Sequence, residues 1–199
     1  MKRVSALALS GCLVCGYGWA QEQPPTLRLT PQLDTPQAQE LLRYFEALCL
    51  DEYPSEQAVT ETLQKMGAAP MPADFVRGFL NGPGQGWRFQ GKNGDFIVTL
   101  KAVPDRHCAV RTASEKLFAP DWRAFLHEAA STRHQELSGD IDYDDPHPDG
   151  SVSHAFVNLI LTATPMENYT MIVEEHPERT EHRVETRVMR RVLSLPSER

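Results

Sequence analysis

Three groups of side chains in this chain are of types that do chemistry: four cysteines, a run of aspartates and seven histidines. Cys12 and Cys15 fall inside an N-terminal stretch that reads as an export signal, which leaves Cys49 and Cys108 for the mature chain. In an oxidising compartment an even pair of core-side cysteines is read as a disulfide. Closing a loop of about sixty residues stabilises a fold by about 4 kcal/mol in the chain-entropy account. The Cys49 and Cys108 spacing is not the Cys-x-x-Cys of a redox-active pair.

The aspartates are Asp140, Asp142, Asp144, Asp145 and Asp149. Their alternation resembles the opening of a calcium loop, but the pattern breaks down: position six is Asp145 where glycine makes the sharp turn, and position twelve is Ser151 where a bidentate glutamate belongs. The segment reads as a solvated acidic loop, with weak calcium binding as the alternative. No two histidines have the His-x-x-x-His helical spacing of a zinc site. Ser151, Ser153 and His154 lie close to Asp149, but no nucleophile elbow precedes them. Gly91-Lys92-Asn93-Gly94 is too short for a phosphate loop and has no Lys-Ser/Thr ending, so it reads as a hairpin turn. No catalytic, cofactor-binding or metal-binding residue is assigned, and no cofactor is implied.

These residues must be positioned by two kinds of element. Residues 87–112 hold three short β runs separated by turn clusters, with Phe96, Val98 and Leu100 alternating onto one face and Cys108, Val110 and Thr112 onto another. Before them, Thr35 caps a helix with Pro36 at its first position, and Leu41, Leu42, Phe45, Leu48 and Cys49 form its apolar stripe. A second helix follows Pro54 and Ser55 and stops at Gly67. A short third one is expected over 72–80. Beyond the meander, Ala119-Pro120-Asp121 opens another helix, with Trp122, Phe125, Leu126 and Ala129 as its buried face.

A second β block closes the chain. Ala155, Val157 and Leu159 are expected on the core face of its first run, Tyr169, Met171 and Val173 on that of its second, and Val184, Thr186, Val188 and Val192 on that of its third. The opposite face of this block carries Phe156, Ile160 and Ile172 where water is expected. Either helices cover both sides of the sheet or the face binds something. Glu174 and Glu175 are expected to meet Arg183, Arg187 or Arg190 across the last hairpin as a solvated charge pattern. The expected fold is α+β: N-terminal helices on a mainly antiparallel sheet of about five to seven strands, in β3-α-β3 order.

Domain organisation follows from the ends inward. Lys2 and Arg3, an apolar stretch and Gly18-Trp19-Ala20 form the pattern of a signal peptide over 1–20. Leu9-Ser10-Gly11-Cys12 offers an alternative, a lipoprotein box that would anchor the chain through Cys12. Residues 21–34 read as a flexible leader and 35–195 as one domain. Removing 1–20 takes the formal charge from −7 to −9. That acidity gives no electrostatic footprint for nucleic acid, and no stretch is long enough to span a membrane as a helix.

Phe45-x-x-x-Cys49 on a helix, a hairpin containing Trp87 and Cys108-Ala109-Val110 on a strand resemble small uncharacterised secreted or periplasmic proteins of Gram-negative bacteria. The resemblance covers about residues 41–110 and implies a periplasmic address, with no catalytic residues to carry over. The function expected is a non-enzymatic binding or accessory module whose partner is a periplasmic protein or a small ligand. The alternative is a small hydrolase whose His and Asp side chains are assembled by the fold.

Overall fold

The computed structural model of the chain describes residues 35–102, 105–114, 125, 129, 133, 137–160, 166–179, 181 and 183–193. The expected signal peptide, the leader and the Cys12 lipid site all lie outside the described residues. Eight strands form one antiparallel sheet: β1 (Ala69–Pro70), β2 (Gly84–Gln90), β3 (Asp95–Lys101), β4 (Asp105–Ser114), β5 (Leu137–Pro146), β6 (Val152–Ile160), β7 (Met166–Glu175) and β8 (Val184–Leu193). Their order is β1-β2-β3-β4-β8-β7-β6-β5, so two meanders meet where β4 pairs with β8. The helices are α1 (Pro36–Tyr44), α2 (Glu56–Lys65) and α3 (Ala73–Leu80), with a π-helical segment, Phe45–Glu52, continuing α1. The α+β class therefore holds, with the sheet dominant. The β3-α-β3 order does not, because each meander has one strand more.

α1 starts where its capping chemistry places it: the Thr35 side chain accepts from the Ala38 N–H at 3.1 Å, and Pro36 fills the first position. Leu41, Leu42, Phe45, Leu48 and Cys49 are all buried on one face of the sheet. Opposite them a row of Val98, Val110, Val188 and Met171 runs across β3, β4, β8 and β7 in direct register. Burying each such side chain contributes about 1.5–3 kcal/mol before the entropy of ordering it is subtracted. Phe125 and Ala129, both helical, complete this layer, and Phe45 lies 6.3 Å from Phe125 between ring centroids. The rest of the helix expected around them lies outside the described residues.

α3 packs on the other face, over the end of the sheet. Two glycines of β2 permit this. A Cβ on Gly84 would collide with Leu80 and the Leu100 carbonyl, and one on Gly86 would come within 2.7 Å of Val76. Past α3 no helix among the described residues covers this second face across β4, β8, β7, β6 and β5, and the functional residues lie there.

Two strands depart from the sequence reading. The acidic segment is not a loop: as far as Pro146 it is strand β5, paired along β6. β6 is also turned over. Asn158 is in register with Tyr169, so Phe156, Asn158 and Ile160 face the helices while Ala155 and Val157 face the open side. Both faces of β6 are apolar, so alternation alone could not choose between them.

Candidate functional site

The α1 side of the sheet is fastened by three contacts. Cys49 and Cys108 lie at disulfide-bonding distance, with Cα atoms 5.4 Å apart. Arg190, the register neighbour of Cys108, forms a bidentate pair with Glu167 at 2.9 and 2.7 Å. Its remaining nitrogen donates to the carbonyls of Cys49, Leu50 and Tyr53, the last turn of the π-helical segment. Arg190 was expected in a solvated hairpin; instead it is buried and tethers a helix end to the sheet. Finally, Glu40 reaches into the turn between β2 and β3. Its carboxylate accepts from the backbone N–H of Lys92 and Asn93 at 2.7 Å each, and from the Asn93 amide and Tyr44 hydroxyl. The glycine-rich turn does present N–H groups to an anion, and that anion is the chain's own glutamate.

On the open face the strand register sets side chains in rows. One row runs Lys101, His107, Arg191, Asn168 across β3, β4, β8 and β7. Four residues further along the strands, a second contains Arg111, Arg187 and Ile172. Between them lies a mostly apolar floor of Ala109, Met189, Thr170 and Val157. Both rows except Arg111, and this floor except Ala109, line a trough of about 330 Å³, together with Phe79 and Leu80 of α3 and Tyr143 of β5.

The electrostatics of this trough are one-sided. Arg111 is held by α3: it donates to the Phe79 carbonyl at 3.3 Å and lies 4.6 Å over that ring. Burial, then the neighbouring Arg187, lowers its pKa to about 10. Burial also lowers the Arg187 pKa, with Glu174 working against the shift. The His107 imidazole is driven down to about 4, first by burial and then by Arg191, Lys101, Arg187 and Arg111, so it is neutral at physiological pH. Buried polar atoms without a hydrogen-bond partner gather here: His107 Nδ1, Asn168 Oδ1 and the Nε atoms of Arg111, Arg187 and Arg191. Buried polar groups are rarely left unpaired, so such a concentration calls for an explanation.

Other clusters are weaker. Glu174, His176 and Glu185 bring ligand-type atoms within 4.8 Å of one another. Glu185 is already paired with Arg179 at 2.7 Å, and Glu174 and Glu185 both act electrostatically on Arg111 and Arg187, which disfavours a divalent ion. His147 Nε2 lies 2.7 Å from Ser153 Oγ, within reach for a base and a hydroxyl nucleophile. The nearby Asp149 carboxylate instead accepts from the N–H and hydroxyl of Ser151, which hold its pKa low.

The acidic residues identified in sequence do not converge. Asp140, Asp142 and Asp144 occupy alternate positions of β5, so neighbouring ones are about 7 Å apart and no single ion at about 2.4 Å can use all three. Asp145 falls on the opposite side of the strand, and Asp149 lies in the following turn. Asp144 is engaged by His154 Nδ1 at 2.7 Å. Ile172 belongs to the face that the sequence marked for burial or binding, but the cationic residues of this face were not read as a site, although β4 and β8 carried a signal: His107 and Arg111, and Arg187 and Arg191, each recur four apart, opposite the valines of the same strands.

Comparison of the chain with models of known protein families, with curated proteins and with solved structures finds no match in any of the three.

Proposed function

We propose that this protein is a non-enzymatic, exported binding module that takes its ligand in the trough on the open face of the sheet. The observation that carries this is the cluster of half-buried cationic side chains with unpaired nitrogens around one cavity. The pair at disulfide-bonding distance fits an oxidising compartment, and the signal-peptide pattern of the sequence supports a periplasmic address. Among the described residues no helix is long and apolar enough to cross a membrane.

The test is to purify the protein under native conditions from the compartment it is exported to and weigh it intact by native mass spectrometry. A co-purifying ligand should be present on the wild type and absent from the Arg187→Glu, Arg191→Glu double variant. A ligand that remains on a folded double variant refutes the site.

The runner-up is a hydrolase in which His147 activates Ser153, motivated by their 2.7 Å contact. Among the described residues no carboxylate is hydrogen-bonded to His147, and Asp149 is engaged by Ser151. Ester hydrolysis lost in both Ser153→Ala and His147→Ala would favour it over the binding module.

A further inference from the structure

The binding reading leaves the ligand's chemistry open, and the layout of the trough narrows it. We propose that the trough holds a small organic dianion with a flat apolar body, one acid group meeting Arg191 and the other Arg187, the body lying on Met189, Thr170 and Val157. This rests on the binding reading and adds the class of ligand to it.

Three features carry it. The first is separation. The two cationic rows are four residues apart along β4 and β8, about 13 Å of strand. A point anion such as phosphate reaches one row and leaves the other unanswered. The second is the strip between them, formed by the nearly fully buried Met189 and Thr170 and the half-buried Val157. It presents methyl and thioether surface with no charge, which suits a ring or short hydrocarbon and not a chain of acid groups. The third is size: about 330 Å³ is at the small end for ligand sites, too little for a folded partner.

The charges agree with this. Arg191 has no ion pair among the described residues, and its cross-strand neighbour His107 is neutral, so no described carboxylate competes with a ligand acid for that guanidinium. Arg187 lies directly opposite Arg111, and like charges so placed repel. Glu174 and Glu185 offset part of that repulsion from one side, and a ligand carboxylate or phosphate would offset more from the trough side. A guanidinium fork matches either oxyacid in bidentate geometry.

The experiment is calorimetric titration of the exported protein with three probes. These are naphthalene-2,6-dicarboxylate, 2-naphthoate (the same body with one acid) and inorganic phosphate (an anion with no body). The dicarboxylate should bind about tenfold or more tightly than either of the others. It should weaken by about tenfold or more in Arg191→Gln and in Arg187→Gln. Arg88→Gln, on β2 where it pairs with Asp95 and outside the trough's lining, should bind as the wild type does; melting curves report whether each variant is folded.

Equal binding of naphthoate and dicarboxylate would overturn the need for two acids. Equal binding of phosphate would overturn the apolar body. Displacement of the dicarboxylate by a poly-aspartate peptide of higher affinity would replace the small ligand with an acidic chain. If the protein retains a ligand from the cell in an Arg-dependent way but ignores the dicarboxylate, this inference fails and the binding module stands. If it takes neither, both fail.

Discussion

Two buried ionisable residues, Glu40 and His107, should make the stability of this protein depend on pH, each in its own window. Glu40 has no exposed surface; burial alone would raise its pKa, but the N–H groups of Lys92 and Asn93, with Tyr44 and the Asn93 amide, hold it below the ordinary carboxylate range. A carboxylate so depressed contributes stability that is present above its unfolded pKa, about 4.3, and is lost as pH falls through the folded value. Glu40→Ala leaves two turn N–H groups without an acceptor and should cost on the order of 3 kcal/mol at neutral pH, measured by urea unfolding. His107 works earlier in the titration. Its folded pKa of about 4 lies below the unfolded value of about 6.5, so the unfolded chain takes up the proton first. Stability therefore falls as pH drops from about 6.5 towards 4, by roughly 3 kcal/mol from this residue. In His107→Gln that part of the slope should vanish while the Glu40 part below about pH 4.5 remains. An unchanged slope would mean the imidazole is not held neutral by its cationic neighbours.

Among the elements, the most informative is β8, because its two faces do unrelated work. Its α1-facing side supplies Val188 to the core and Arg190 to the helix end; its open side supplies Arg187 and Arg191 to the trough. Arg190→Ala strands Glu167 in a buried position and removes the donor shared by three carbonyls, so it should destabilise by about 3–5 kcal/mol. Arg191→Gln, one residue on, should change stability by no more than about 0.5 kcal/mol in either direction, since it touches no partner among the described residues. Denaturation of the two variants side by side checks the division of labour; equal losses would contradict it. The same strand shows what sequence could reveal. Its valine alternation marks the core face, as the caps at Thr35 and Ser55 mark helix starts, because each is a local rule. β5 escaped because aspartate is depleted in strands, and only its pairing with β6 makes it one. The trough escaped because its rows are assembled from β3, β4, β7 and β8, and register across non-adjacent segments is not written in any one of them. The Cys49 and Cys108 pairing was legible because only two candidates remained.

Among the described residues the molecule is an antiparallel sheet with helices on one side, a short helix over one end of the other, and two margins, β1 and β5, that pair with no further strand. One margin is β1, two residues ending in Pro70, which offers nothing to extend. The other is β5, ten residues long, with Ile141 and Tyr143 exposed beside Asp142, Asp144 and Asp145. A strand of that length with an open side is a template for growth, and what stands against growth is its row of like charges. Seen this way the aspartates act as gatekeepers of colloidal behaviour: two molecules meeting margin to margin would press carboxylate against carboxylate before a single inter-chain ladder could close. The variant carrying Asn at 142, 144 and 145 should fold as the parent does and then scatter light after a lag that shortens with concentration, with thioflavin T fluorescence rising in step. If it stays monomeric at every concentration, the margin is protected by its twist alone. If it grows, those three side chains set how concentrated the protein can become before it polymerises.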